Sequence, residues 1–424
     1  MKSKLLQNIF IYVLGGIVTS SLSYFLMPVL TRYLSPADYG IVYLFNSIMM
    51  FFVPLIGLQS ETYFSRYYFE IKKEVFAEHV GGIFKVVAIT TAAAFFFLYL
   101  LNDQLSSALA VEKGLMGLCL IASFFTIVGA YLLQYFQMEN SAGKYISVII
   151  IITLINLILS LLLVVVFRFG WQGRIIGIMV SVFIQAIVSV YILYRNGFIK
   201  FKINMKYTGE IVAFGFPLLL GAMGGWVINL ADKVFIAKMV SLSATGIYGI
   251  GSSMGMIMAL IVNSFGRAWF PYFLENIKDN IYENNVRIVK LTYLFTSVII
   301  LLAFVVTFFS YVFIKYFIAT EYFESYKYVL WISLGQGIAG INSIFLYYLL
   351  YEKKNYLISG IFCLSAVSNL FLNFFLIKLF GTIGAAYAVF VSFLIAAIIT
   401  ILFSVHYHKM PWLYFLKRGD SSFA

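Results

Sequence analysis

The stretch ISVIIIITLINLILSLLLVVVF, from Ile146 to Phe167, decides the class of fold. It is almost entirely apolar and contains no charged residue. A strand of a transmembrane β-barrel would alternate between polar and apolar residues, and this stretch does not alternate. A helix needs about 20 consecutive apolar residues to cross a bilayer, so the stretch predicts a transmembrane helix.

The composition extends this prediction to the whole chain. Of 424 residues, 62% are hydrophobic and 11% are charged, whereas a soluble domain has about 45–50% apolar and about 25% charged residues. Apolar stretches of spanning length recur twelve times with short polar joints between them. The predicted spans are 9–31, 39–64, 79–101, 115–137, 144–167, 175–195, 209–238, 246–273, 288–318, 328–351, 356–379 and 381–405.

The lysines and arginines of the joints predict the orientation. With an even number of spans, both termini lie on the same side of the membrane. That side collects 18 lysines and arginines, and the joints on the other side contain 8. Because cytoplasmic joints carry the excess of basic residues, both termini are predicted to be cytoplasmic. The net charge of +12 is then explained by anionic lipid at the cytoplasmic surface, and no nucleic-acid partner is expected.

An internal repeat relates the two halves of the chain. Residues 31–50 match residues 237–256 at an offset of 206, pairing Ser35 with Ser241 and Gly40 with Gly246. Further along, Gly170, Gly173 and Ser181 match Gly381, Gly384 and Ser392 at an offset of 211, and Asn156 matches Asn369 when two residues are skipped. The matches keep their order and each half has six spans. We therefore expect a parallel repeat about an axis along the membrane normal.

Four motifs resemble one family of membrane proteins. The first span ends in LTRYLSPADYG, the seventh contains DKVFIAKMVSLSATGIYG, and the turns FGWQG and LFGTIGAA precede the sixth and twelfth spans. Together they resemble polysaccharide flippases of the multidrug/oligosaccharidyl-lipid/polysaccharide export superfamily. The O-antigen and capsular repeat-unit flippases are the most similar class.

The resemblance implies a fold and a function. The fold would be an all-α polytopic membrane protein with two six-helix bundles, residues 1–200 and 201–405, in a V around a central cavity. Residues 406–424 would form a cytoplasmic tail. The protein would flip an undecaprenyl-pyrophosphate-linked oligosaccharide from the cytoplasmic to the periplasmic leaflet of the bacterial inner membrane. A polymerase and other polysaccharide assembly proteins would be its partners.

Such a substrate needs cations for the pyrophosphate and polar groups for the sugars. Candidates are the polar residues within or beside the predicted spans. Those predicted to bind substrate are Arg267, Lys233, Arg66, Asn229, Asn263, Gln134 and Gln137.

Two acidic residues are predicted to act in gating or ion coupling. Asp232 adjoins Lys233 in an otherwise apolar stretch, so the pair either fixes helix packing or faces the cavity. Glu61 is the repeat partner of Arg267 at the offset of 206. A salt bridge between them would close an inner gate that pyrophosphate opens, or both are interfacial residues whose charged ends reach the membrane surface.

Enzyme motifs give no support for a catalytic site. There is no G-x-x-x-x-G-K-[ST] and no H-E-x-x-H, and the one G-x-S-x-G match, at 251–255, lies inside a predicted helical span and not at the strand-to-helix turn that this motif requires. We therefore predict a non-enzyme without metal or cofactor, and the sequence leaves open whether Na⁺, H⁺ or the membrane potential drives transport. Two alternatives remain: an ion-coupled multidrug exporter of the same superfamily, and a membrane-embedded polysaccharide polymerase or glycosyltransferase.

Overall fold

The chain folds almost entirely into α-helices. A computed structural model describes residues 2–109, 111–200, 205–278 and 281–413. Within those ranges there are fourteen α-helices and no strand. The helices are α1 Lys2–Leu30, α2 Pro36–Gly57, α3 Ser60–Glu70, α4 Lys73–Leu109, α5 Lys113–Met138, α6 Ala142–Leu161, α7 Gly170–Arg195, α8 Met205–Met239, α9 Leu242–Gly255, α10 Ile257–Ile277, α11 Tyr282–Phe317, α12 Tyr326–Tyr351, α13 Asn355–Phe380 and α14 Ile383–Tyr407.

Eleven segments of the described chain are long and apolar enough to cross a membrane. Helix α1 adds a shorter apolar stretch, Leu14–Leu30, at the position of the first predicted span. The predicted all-α polytopic fold is confirmed, and the number of spans agrees with the predicted twelve to within one helix.

The second predicted span, 39–64, is interrupted between α2 and α3. Leu58 and Gln59 both have left-handed backbone conformations, with φ of 45° and 52°, which end an α-helix of L-residues. The Ser60 hydroxyl donates to the Gly57 carbonyl at 2.5 Å and so satisfies one of the free acceptors at the end of α2. Glu61 therefore lies in the first turn of α3, beyond the apolar segment to which the sequence assigned it.

The repeat serines begin equivalent helices. The Asp38 amide donates to the Ser35 hydroxyl at 3.2 Å, and the Asp38 carboxylate accepts from the Ser35 amide at 3.0 Å. At the start of α9, the Ala244 amide donates to the Ser241 hydroxyl at 3.0 Å. Both serines thus cap a helix by accepting from a backbone N–H that has no partner inside the helix.

Helices α2 and α9 cross where the two repeat glycines lie. A Cβ on Gly40 would lie 2.0 Å from the Leu242 carbonyl oxygen, and a Cβ on Gly246 would lie 2.0 Å from the Pro36 carbonyl oxygen. Pro36 and Leu242 are themselves separated by the offset of 206. The contact is therefore self-complementary, as expected where two repeat-related elements meet at a twofold axis.

A second pair of equivalent contacts holds α6 to α7 and α13 to α14. The Asn156 amide donates to the Ser181 hydroxyl at 3.1 Å, and the Asn369 amide donates to the Ser392 hydroxyl at 3.1 Å. Gly170 and Gly381, at the matching turns, both have positive φ, 57° and 67°. The predicted repeat is confirmed in the register that the sequence indicated.

The chain divides into two compact units. The first comprises Met1–Trp226, Lys233–Ile247 and Phe317–Tyr322; the second comprises Val227–Asp232, Tyr248–Tyr316 and Phe323–Ala424. Each has its own apolar core, with Phe45 and Phe64 fully buried in the first and Phe273 fully buried in the second. The predicted bundle boundaries at residues 200 and 405 stay predictions.

Candidate functional site

A cavity of about 410 Å³ lies inside the second unit, between α10, α11 and α12. Asn263 and Arg267 of α10 line it, and so do Ser343 and Tyr347 of α12. Each pair is four residues apart, which places both of its side chains on one face of the helix. The structure therefore brings Arg267 and Asn263 together, as the sequence predicted. Ser343 and Tyr347 complete the polar lining.

Small residues bring the two cavity helices close together. A Cβ on Gly340 would lie 2.5 Å from Val262, and a Cβ on Gly266 would lie 3.3 Å from the Tyr347 hydroxyl. Glycine at these positions lets α12 approach α10 within the membrane. The Tyr347 hydroxyl therefore lies close to the backbone of Gly266, the residue before Arg267.

Aromatic rings form the rest of the wall. The rings of Phe265 and Phe295 stack with centroids 3.5 Å apart, and the ring of Phe270 lies 4.7 Å from that of Tyr347. Among the described residues Arg267 has no carboxylate partner, and the Tyr347 hydroxyl has no hydrogen-bond partner. The cavity thus combines an unpaired cation, an amide, hydroxyls and ring faces, which suits an anionic group attached to a polyol.

A separate polar cluster in the first unit surrounds Glu61. The Gln134 side chain of α5 hydrogen-bonds to the Glu61 carboxylate. The Ser65 hydroxyl donates to Gln134 Oε1 at 2.8 Å. Gln137, also predicted to bind substrate, is exposed on the same helix and does not join the cluster.

Arg66 contacts groups outside the cluster around Glu61. Its Nε lies 3.6 Å from the Glu70 carboxylate, and its guanidinium lies 5.5 Å from the ring centroid of Phe214. The Arg66 and Glu70 side chains are both about half exposed, so their ion pair contributes little stability. Arg66 is therefore held by a surface pair and an aromatic ring, and its role in substrate binding stays a prediction.

Asp232 and Lys233 are both buried, with 2% and 4% of their surfaces exposed. The Tyr248 hydroxyl of α9 donates to Asp232 Oδ2 at 2.5 Å, inside the second unit. Tyr248 is fully buried and was not among the predicted site residues. The bond ties α8 to α9 and supports a packing role for the carboxylate. The side chain of Asn229, another predicted residue, lies outside the described part of the structure.

We expect Tyr248→Phe to lower stability, because it removes a hydrogen bond to a buried charged group. Such bonds contribute about 1.5–3 kcal/mol. Asp232→Asn keeps an acceptor oxygen for Tyr248, so the melting temperature of the purified protein should fall less. Tyr282→Phe, on an exposed ring of α11, is the control. An unchanged melting temperature for Tyr248→Phe would contradict the packing role, and loss of export by a normally stable Asp232→Asn variant would assign the carboxylate to transport.

Comparisons with known proteins agree with this fold. The family described as "Polysaccharide biosynthesis protein" matches residues 5–277. An uncharacterized membrane protein of Haemophilus influenzae is 22% identical over 283 residues, which span 65% of this chain and 66% of that protein.

Two solved structures that share this fold are transporters. Lipid II flippase MurJ, in its inward closed conformation, superposes with a TM-score of 0.76 at 16% identity, covering 96% of this chain and 89% of that chain. The Vibrio cholerae MATE transporter VcmN superposes with a TM-score of 0.61 at 14% identity, covering 97% of this chain and 98% of that chain. The chain therefore belongs to the polysaccharide biosynthesis protein family, and its fold is that of membrane transporters of the flippase and multidrug-export type.

Proposed function

We propose that this protein moves an undecaprenyl-pyrophosphate-linked oligosaccharide from the cytoplasmic to the outer leaflet of the bacterial inner membrane by alternating access. The observation that carries the proposal is the cavity of the second unit, in which Arg267 lies among polar and aromatic side chains. The polysaccharide biosynthesis family and the transporter fold support it.

The cavity chemistry suits the junction of such a substrate. An arginine can bind a phosphate through two parallel hydrogen bonds. Tyr347, Ser343 and Asn263 offer donors and acceptors to sugar hydroxyls beside it, and the ring faces of Phe265 and Phe295 suit the apolar faces of a sugar ring. A volume of about 410 Å³ is that of a small-molecule pocket, typically about 300–1,000 Å³. It would hold the pyrophosphate and the first sugar, with the remaining sugars outside.

The cavity favours a glycan over the alternatives from sequence analysis. A multidrug exporter for cationic compounds needs acidic groups at its binding site, whereas the charged residue here is an arginine. A polymerase or glycosyltransferase is disfavoured because the solved structures that share this fold, lipid II flippase MurJ and the MATE transporter VcmN, are transporters. The cytoplasmic location of both termini and the coupling to Na⁺, H⁺ or the membrane potential remain parts of the proposal.

The test is the leaflet distribution of lipid-linked glycan. Cells in which the gene is deleted should accumulate the lipid-linked repeat unit in the cytoplasmic leaflet and lose the surface glycan, and the cloned gene should reverse both effects. A membrane-impermeant glycan-oxidising reagent applied to spheroplasts separates the two leaflets. Unchanged labelling after deletion would overturn the proposal, and a loss of cationic dye efflux in its place would favour the multidrug exporter.

A further inference from the structure

Arg174, the fifth residue of α7, is a further cation inside an apolar span. Its Nη1 donates to Asn156 Oδ1 at 2.5 Å and to Ser160 Oγ at 2.6 Å, both on α6. The two bonds fix the guanidinium on the partner helix. Gly177 allows this approach, because a Cβ there would lie 2.7 Å from the Ser160 hydroxyl.

The rest of the guanidinium has unused hydrogen-bonding capacity. An arginine has five N–H donors, and both recorded bonds come from Nη1. Among the described residues, Nε and Nη2 make no hydrogen bond and Arg174 has no carboxylate partner. Tyr39 and Tyr43 of α2 lie within electrostatic range. The Nε–Nη2 edge is the fork that binds two oxygens of one phosphate.

In the second half of the repeat, the equivalent helices α13 and α14 are joined without a charged residue. There the Asn373 amide donates to Asn369 Oδ1 at 2.9 Å, while Asn369 donates to Ser392. Asn373 is the repeat partner of Ser160, and the partner of Arg174 is Ala385, which is fully buried. The same helix pair is thus joined by uncharged groups. A brace between the helices does not require the charge of Arg174.

A charged residue in an apolar span is costly and usually has a functional partner. We propose that Arg174, held by Asn156 and Ser160, is an anion site of the first unit that binds a phosphate group of a lipid or a lipid-linked molecule. In the predicted orientation this site lies toward the side opposite the termini. The binding claim does not rest on the transport proposal, since a phospholipid headgroup would occupy the same fork.

The test replaces residues of the first half of the repeat by the uncharged residues at the equivalent positions of the second half. The double variant Ser160→Asn/Arg174→Ala copies Asn373 and Ala385. Arg174→Gln is the companion variant, because its amide keeps an N–H donor while the charge and the Nε–Nη2 fork are removed. Every protein is the full chain and carries Arg267→Ala, so that the cavity of the second unit does not contribute. Circular dichroism and melting temperature identify the variants that fold.

Three probes distinguish the sources of phosphate: inorganic pyrophosphate and farnesyl pyrophosphate by calorimetry, and phosphatidylglycerol by native mass spectrometry. The Arg267→Ala protein should bind at least one of them, and both charge-free variants should bind it at least tenfold more weakly. Preference for farnesyl pyrophosphate would identify a lipid-linked pyrophosphate, and preference for phosphatidylglycerol a bilayer headgroup. Equal affinity in a folded charge-free variant, or no binding to any probe by the Arg267→Ala protein, would overturn the proposal.

Discussion

Replacing Arg267 by alanine is expected to abolish most of the glycan export. Arg267 is the cation of the second-unit cavity, and among the described residues no carboxylate compensates it. A hydrogen bond to a charged group contributes about 1.5–3 kcal/mol. This corresponds to roughly a 10- to 150-fold loss of apparent affinity. The measurement is the initial rate at which lipid-linked repeat units become accessible outside the cell.

The conservative variant tests how the arginine acts. Arg267→Lys keeps the charge but loses the planar fork, so it should retain an intermediate rate. Arg287→Ala removes an exposed arginine of α11 outside the cavity lining and is the matched control for lost positive charge. If Arg267→Ala exports at the wild-type rate with normal protein levels, the cavity is not the phosphate site. If Arg287→Ala exports as slowly as Arg267→Ala, the loss of export results from the lower net charge of the protein and not from the missing cavity arginine.

Hydrophobic runs and repeated small residues made most of the fold predictable. A continuous apolar run such as 146–167 does not alternate as a barrel strand would, so in lipid it is stable only as a helix, which pairs its backbone N–H and C=O groups inside the segment. Ser35 and Gly40 could be matched to Ser241 and Gly246 because capping and close helix contact tolerate few residue types. The repeat was therefore visible in the sequence at the positions where the backbone is most constrained.

The interruption between α2 and α3 could not be predicted in the same way. Leu58 and Gln59 are residues that normally continue a helix, although Gly57 ends α2 and Pro54 lies one turn earlier. Tertiary contacts stabilise the interruption: a Cβ on Gly215 of α8 would lie 1.8 Å from the Leu58 carbonyl oxygen, and Ser60 hydrogen-bonds with Tyr131 of α5 at 2.6 Å. Such contacts between residues far apart in the chain leave no local pattern.

Some site residues could be predicted from the sequence and others could not. Charged and amide residues in apolar spans are few, so Arg267, Asn263 and Asp232 could be selected from the sequence. Tyr347 and Tyr248 could not, because tyrosine occurs 31 times in the chain and most tyrosines in membrane proteins lie at interfaces. Their roles follow only from a neighbour on another helix. The spacing of four residues between Ser343 and Tyr347 was a weak signal for a shared face.

Alanine at Gly40 or at Gly246 is expected to cause the largest loss of stability among single methyl additions near the repeat axis. Each new Cβ would lie 2.0 Å from a backbone carbonyl oxygen, and a backbone atom cannot move aside by a change of rotamer. Overpacking of this kind typically costs about 1–3 kcal/mol. Each kcal/mol lowers the melting temperature of a large domain by about 2–4 °C. Gly360→Ala is the control, because nothing lies within 4 Å of its Cβ and alanine favours the helix by about 1 kcal/mol.

The double variant Gly40→Ala/Gly246→Ala distinguishes one shared crossing from two independent contacts. The two glycines face Leu242 and Pro36 across a single crossing of α2 and α9, so the separation forced by the first methyl group also makes room for the second. Neighbouring sites coupled through a backbone shift are not additive. The double variant should therefore be destabilised by less than the sum of the single variants, as measured by thermal unfolding of the purified protein. Single variants that melt with the wild type, or a double variant whose loss equals that sum, would contradict the self-complementary contact between the two halves of the repeat.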